Sequence, residues 1–199
     1  MGGTQVKHRA ISHTLILLAL FATSTGAEAA YIHRWTIFPE HSGLRVLTSV
    51  PQLADVAKKI GGRRIAVVSL LKPSVDFHNP KLVGSMVKAT EEADVLLRLN
   101  PSLDSWIEEL TRQSNNQRLR PESGCFRACL EQTSVKNSRS LDLLLNDERT
   151  ARSVAQDVLG VLIHADPKNE SYYRANSEAY LRTLQKSPKQ QTSSSRKDP

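Results

Sequence analysis

The middle of the chain alternates between two patterns of apolar residues. The runs "LRVLTSV" (44–50) and "IAVVSLL" (65–71) are apolar at nearly every position, which is typical of short strands covered on both faces. Between them, Leu53, Val56 and Ile60 recur at helical spacing directly after a proline. The pattern therefore predicts a strand, a helix and a second strand.

The same alternation continues towards the carboxyl terminus. It predicts a helix at 81–93, a strand at 94–100 and a helix at 103–113. This order favours an α/β fold, namely an open parallel sheet flanked by helices, because parallel strands need crossover connections. Two later stripes are expected to pack in the core: Val154, Val158 and Leu162, and then Tyr173, Tyr180 and Leu184.

The connection "KPSVDFHNP" (72–80) leaves the end of the second predicted strand and contains His78. In open parallel sheets, ligands bind beyond the carboxyl ends of the strands. His78 is therefore a candidate metal ligand. A lone histidine can equally be a polar residue in a connection, because a metal site needs several converging donors.

The two ends of the chain predict segments outside the folded part. Residues 1–29 combine basic residues, a short apolar run and "AEA", the pattern of a signal peptide cleaved after Ala29. We expect a periplasmic, soluble protein without membrane insertion after cleavage. Residues 187–199 are rich in Ser, Gln and Lys and predict a disordered tail.

Charge and motifs narrow the function. Part of the net charge of +7 lies in the two end segments, and no basic patch is interleaved with aromatic residues, so no nucleic-acid partner is expected. No nucleophile elbow, phosphate loop or Ser-His-Asp pattern is present, so we expect neither an enzyme nor an organic cofactor. Cys125 and Cys129 are interpreted as unpaired or locally bridged thiols, because no further donors follow for a zinc knuckle.

Three segments carry a resemblance to a known family: "VLTSVPQLADVAKKIGG", "LLKPSVDFH" and "ADVLLRLNPSLDSWIEEL". In this order they resemble the amino-terminal lobe of the zinc- and manganese-type solute-binding proteins of bacterial ABC importers. The family's loop reads P-G-x-D-P-H, and its histidine is the first metal ligand. Pro73, Asp76 and His78 match that motif, whereas Ser74 and Phe77 depart from it.

The resemblance implies one lobe of a two-lobed periplasmic binding protein. Residues 30–165 would form the amino-terminal metal-binding lobe, and residues 166–186 would begin the helix region between lobes. The implied function is capture of a divalent metal ion as the transported ligand, with zinc favoured over manganese, and its delivery to the permease of an ABC importer.

Two departures from the family leave an alternative open. The family's D-P-H-x-W-L motif, which carries the second ligand, corresponds here to "SLDLLLNDE", with Asp142 at the histidine position. Asp142 is either an oxygen donor to the metal or a mark of lost function. The family's other two ligands belong to the second lobe. The alternative is a truncated, degenerate paralogue with a structural or interaction role. For a lobe without its partner, we expect an exposed apolar strip along 170–184.

Overall fold

The structure is a computed structural model that describes residues 37–40, 42–73, 75–130 and 138–186. The predicted signal peptide at 1–29 and the predicted tail at 187–199 lie outside the described residues.

The described residues form a four-stranded parallel sheet. Its strands are β1 (Leu44–Thr48), β2 (Ile65–Ser69), β3 (Val95–Arg98) and β4 (Phe126–Ala128). Their order across the sheet is β2-β1-β3-β4, and all pairs are parallel. The chain thus winds from β1 to one side and then crosses back to the other, so the winding direction changes between β1 and β3.

Helices connect and cover the strands. They are α1 (Pro51–Gly61), α2 (Gly84–Glu92), α3 (Trp106–Ser114), α4 (Ser138–Leu145), α5 (Glu148–Ala165) and α6 (Glu170–Lys186). Single turns of 3-10 helix span Gly62–Arg64, Gln117–Leu119, Pro121–Ser123 and Pro167–Asn169. Helix α1 packs against α5 and α6, while α2 packs against α3. This is the α/β architecture with an open parallel sheet flanked by helices that the sequence predicted.

Helix α1 forms where the sequence predicted it. Pro51 occupies the first helical position, where its missing N–H costs nothing, and Leu53, Val56 and Ile60 are all buried. The helix ends at Gly62, whose φ of 52° suits glycine. A side chain at this position would also collide with the hydroxyl of Tyr172 on α6.

Helix α6 runs antiparallel to α1 along this contact. Asn176 Nδ2 donates a hydrogen bond of 2.9 Å to the carbonyl oxygen of Ile60, and Lys59 Nζ lies 4.9 Å from the ring centre of Tyr180. Tyr173 and Tyr180 are buried and Leu184 is half-buried. The expectation of an exposed apolar strip along 170–184 is therefore wrong, because the apolar residues of α6 pack against α1 and α5.

Strand β4 lies in a stretch of the sequence that predicted no element. Cys125 precedes this strand and Cys129 follows it, so the two residues stand at opposite ends of extended backbone. Both thiols are free. The local disulfide that the sequence left open is absent, since four residues of extended chain separate the α-carbons far beyond disulfide reach.

Candidate functional site

The carboxyl edge of the sheet, where the four strands end, contains both residues that the sequence singled out. His78 lies in the loop after β2, and the neighbouring strand β1 leads directly into α1. Because β1 and β2 are adjacent and parallel, the loop and the start of α1 meet at the same edge. This edge also includes the change of winding direction between β1 and β3, where open α/β sheets bind ligands.

His78 is held by its own loop. Its backbone N–H donates a hydrogen bond of 3.0 Å to Asp76 Oδ1. The imidazole is half-buried and lies against the ring of Phe77, with 4.5 Å between ring centres. Phe77 itself is buried in the core. The loop therefore anchors one aromatic ring inside the protein and presents the imidazole next to it.

A second contact joins the loop to α3. The Trp106 indole nitrogen, Nε1, donates a hydrogen bond of 2.7 Å to the backbone carbonyl oxygen of Phe77. Trp106 is the first residue of α3 and is buried. The backbone next to His78 is thus attached to a helix of a different crossover.

The turn before α3 is fixed to β3 by a buried ion pair. Asp104 accepts hydrogen bonds from Arg98 Nε at 2.9 Å and from the Leu99 amide at 2.6 Å. Both charged side chains are almost fully buried, at 3% and 0% exposed. Burial raises the pKa of Asp104, although the guanidinium of Arg98 acts in the opposite direction. Loss of Arg98 would leave the buried carboxylate of Asp104 without its ion pair, whereas loss of Asp104 would leave Arg98 only its ion pair with the exposed Glu108.

Asn100 joins the ends of β3 and β4. Its side-chain oxygen accepts hydrogen bonds from the amides of Ser102 and Leu103, at 2.9 and 3.2 Å, and its amide nitrogen donates to the carbonyl oxygen of Leu130 at 3.0 Å. The carboxyl edge is therefore a hydrogen-bonded frame below the His78 loop.

Asp142 reaches the same edge from α4. Its Oδ1 accepts a hydrogen bond of 2.8 Å from Gln52 Nε2, and Gln52 belongs to the first turn of α1. The carboxylate is exposed. Among the described residues, Gln52 alone donates a hydrogen bond to this carboxylate, through one of its two oxygens.

The structure brings His78 and Asp142 to one edge without completing a metal site. Within residues 37–40, 42–73, 75–130 and 138–186, no group of three or more His, Cys, Asp or Glu side chains could hold a metal ion. A selective transition-metal site needs three or four donors. The described part of the chain supplies an incomplete set at this edge.

A large cavity, about 740 Å³ in volume, lies at the opposite, amino edge of the sheet. Its lining includes Arg63, Arg64, Arg118, Lys168 and His164. Several of these residues follow or end α1 and α5, where positive charge complements the helix carboxyl termini. The charged side chains of the lining are therefore mainly cationic, which opposes the binding of a metal cation.

The carboxylates at this edge already have partners. Asp94 forms an ion pair with Arg118, and Asp166 accepts a hydrogen bond of 2.7 Å from the hydroxyl of Tyr173. Nε2 of His164 lies 3.0 Å from the carbonyl oxygen of Ser123. The amino edge thus has the larger cavity but has its acidic groups engaged within the protein.

Sequence reasoning missed the roles of two residues at the carboxyl edge. Trp106 was part of the family resemblance, and nothing in the sequence indicated its bond to a carbonyl 29 positions away. Gln52 had no signal beyond its place at the start of a helix. Contacts of this kind depend on which strand ends become neighbours.

The parallel sheet and its change of winding direction define an open α/β fold with a polar carboxyl edge. The family model for ZnuA, the periplasmic component A of the zinc-uptake complex, matches residues 46–197. That match covers well over half of the 199 residues, and the chain belongs to this family. The family is one of binding proteins and not of enzymes.

Individual relatives agree with this assignment. The chain is 25% identical over 181 residues to the manganese-binding lipoprotein MntA of Halalkalibacterium halodurans, covering 90% of this chain and 57% of the relative. It is 28% identical over 182 residues to the metal ABC transporter substrate-binding lipoprotein SsaB of Streptococcus sanguinis, covering 86% and 56%. The chain therefore spans little more than half the length of these relatives.

Solved structures share the fold. The metal-dependent lipoprotein YcdH of Bacillus subtilis superposes with a TM-score of 0.58 at 17% identity, covering 71% of this chain and 52% of that one. The Zn(II)-bound ZnuA-like domain of Streptococcus pneumoniae AdcA gives a TM-score of 0.56 at 14% identity, covering 72% and 52%.

Among the helices that the structure describes, none has the length and apolar character needed to cross a membrane.

Proposed function

We propose that this chain forms the metal-binding lobe of an extracytoplasmic substrate-binding component of an ABC importer. Its cargo is a divalent transition-metal ion, and its partner is the importer's permease. His78 is the principal metal ligand and Asp142 a second. The observation that carries the proposal is the position of His78, half-buried at the carboxyl edge next to the change of winding direction.

The donor chemistry fits a borderline metal. An imidazole nitrogen and a carboxylate oxygen suit zinc, manganese and iron alike, and selection among these metals depends on the whole coordination geometry. The names of the relatives include manganese and iron as well as unspecified metals, and the solved structures include a Zn(II)-bound form. These relatives do not favour zinc over manganese. The proposed cargo is therefore a divalent transition-metal ion, with zinc, manganese and iron all included.

Two donors predict weak capture by this lobe alone. The ligand set closes only when further donors approach the carboxyl edge, and the relatives are nearly twice as long as the matched region. A second lobe that supplies these donors is part of the proposal, as is export directed by residues 1–29.

The test is a calorimetric titration of the chain with zinc and, separately, with manganese. We expect weak binding that His78→Ala reduces more than about tenfold and Asp142→Ala reduces less. His164→Ala is the matched control, because it removes an imidazole from the amino edge. Equal affinity in wild type and His78→Ala would contradict the proposed site.

One observation favours a second candidate function. The only hydrogen bond that the described residues give to the Asp142 side chain comes from Gln52, an ordinary helix-to-helix contact. A degenerate paralogue with a structural or interaction role would keep this contact and the fold. In that case neither metal binds to the wild-type chain in the titration.

A further inference from the structure

The contact between Trp106 and the His78 loop fixes more than the position of a backbone atom. The carbonyl oxygen of Phe77 and the amide N–H of His78 belong to the same planar peptide unit. The oxygen accepts from Trp106 Nε1 at 2.7 Å, and the N–H donates to Asp76 Oδ1 at 3.0 Å. This peptide unit is therefore held from both sides, and its plane cannot rotate without breaking a hydrogen bond.

The donor side of this contact is rigid. Trp106 is 8% exposed and begins α3, and the preceding turn is bonded to β3 through Asp104. The start of α3, from which the indole projects, is therefore fixed relative to the sheet. Rotation of the peptide unit would leave the buried indole N–H of Trp106 and the buried carbonyl oxygen of Phe77 without partners, which is unfavourable.

The acceptor side connects directly to the imidazole. Phe77 is 1% exposed and anchors the loop in the core, while its ring lies against the ring of His78. Once the peptide plane is fixed, the Cα–Cβ direction of His78 is restricted too. When a ligand binds, only the side-chain torsion angles of His78 then remain to be fixed.

We infer that Trp106 is a positioning residue for metal capture, because its indole N–H fixes the peptide unit from which His78 projects. The inference rests on the proposed function of His78. A partner that orients a metal ligand contributes to affinity even though it does not touch the metal, and its loss typically weakens binding about 10- to 100-fold. We expect the lower end of this range, because the partner here acts through the backbone.

The experiment uses the full chain with Trp35→Phe, which leaves Trp106 as the one tryptophan of the two in the sequence. Residue 106 is then replaced by β-(3-benzothienyl)alanine, which has a sulfur atom in place of the indole N–H and nearly the same shape. Zinc affinity is measured by calorimetric titration. Amide hydrogen exchange is measured by NMR without metal.

The sulfur analogue should bind zinc about tenfold more weakly. Exchange at the His78 amide should become about tenfold faster, whereas exchange at Leu96 within β3 should stay unchanged. Thr90→Val is the matched control, because it removes a buried side-chain hydrogen bond of 2.8 Å to Met86 in α2. This control should leave both zinc affinity and His78 exchange unchanged.

The outcomes separate the two claims. If the Trp35→Phe protein and the sulfur analogue bind zinc equally well, the inference is wrong and the proposed function stands. If stability falls while zinc affinity and His78 exchange are unchanged, Trp106 has only a packing role and the inference is wrong. If neither protein binds zinc or, in the same titration, manganese, the proposed function is wrong. Faster exchange at His78 would then still support the fixing of the peptide unit, and unchanged exchange would overturn it.

Discussion

The two edges of the sheet differ in cavity volume and in candidate metal donors, and the edge with the large cavity is not the edge with the donors. The amino edge has a cavity of about 740 Å³, lined by cationic side chains and by carboxylates that already have partners. The carboxyl edge has a half-buried imidazole and an exposed carboxylate above a frame of buried hydrogen bonds. The candidate metal donors are at the edge without the large cavity.

The comparison shows that the positions of donor groups indicate a candidate metal site that cavity volume does not. A cation needs lone pairs that are not already committed, and the amino edge has few of these despite its size. Under the proposed function, a second lobe would complete the enclosure, so the carboxyl edge would need no deep cavity of its own.

The largest expected difference between the edges is in stability. Asp104→Asn removes the buried partner of Arg98 at the carboxyl edge, leaves Arg98 only the exposed Glu108, and should lower the free energy of unfolding by about 3 kcal/mol. Asp94→Asn at the amino edge breaks a pair whose arginine is exposed, so about 1 kcal/mol or less is expected. Urea denaturation measures both variants. Equal losses of unfolding free energy in the two variants would contradict a larger stabilising role for the buried pair of Arg98 and Asp104.

A repaired ligand set should show which edge is functional. Asp142→His restores the histidine of the family motif and should strengthen zinc binding about tenfold, because imidazole is a better zinc ligand than a single carboxylate. Asp94→His places an imidazole at the amino edge and should leave the affinity unchanged. Calorimetric titration compares the two, and an equal gain from both would contradict the assignment of the site to the carboxyl edge.

The amino edge should respond to alkaline pH. Burial and the hydrogen bond to Asp166 raise the pKa of Tyr173. The native state therefore keeps this proton where the unfolded chain has lost it, and the free energy of unfolding should fall above about pH 10. Tyr173→Phe should make this decline shallower. Some decline remains, because burial also raises the pKa of Tyr180.

The control for this alkaline effect is Tyr172→Phe. The hydrogen bond with Asn176 lowers the pKa of Tyr172, so ionisation of this residue opposes the decline, and Tyr172→Phe should not make the decline shallower. Urea denaturation at several pH values measures the slope. A slope that Tyr173→Phe leaves unchanged would contradict the effect of its burial.

The smallest effect is expected at Gln52. Its hydrogen bond to Asp142 is exposed, so Gln52→Ala should change the free energy of unfolding by less than about 0.5 kcal/mol. The same change should weaken zinc binding about twofold, because the carboxylate loses one orienting partner. Gln113→Ala, which removes an exposed hydrogen bond to Glu109 on α3, is the control and should leave zinc affinity unchanged.

Much of the fold follows from the sequence because its signals are local. The apolar runs predicted β1, β2 and β3, and the observed strands are shorter by two or three residues, since apolar residues continue past the last ladder bonds. Strand β4 has only three residues and an exposed arginine, Arg127. It exists through pairing with β3, and an isolated sequence window contains no sign of that partner.

The candidate site divides in the same way. The place of His78 after a strand was predictable, because parallel sheets bind ligands beyond the carboxyl ends of their strands. The hydrogen bonds of Trp106 and Gln52 depend on contacts across 29 and 90 positions. The error about the strip on 170–184 has a related cause, because apolar periodicity in α6 indicates a buried face without saying which helix covers it.

The contact between α6 and α1 also determines when the lobe can fold. Asn176 bonds to a carbonyl 116 positions earlier, so the helix that packs against α1 is synthesised well after the first strands. Closing so long a loop costs entropy before any contact rewards it, and folding is correspondingly slow. Strands β1 and β2 therefore remain incompletely covered until α6 has been synthesised. Such a delay would prolong the time in which the unprotected strands can aggregate.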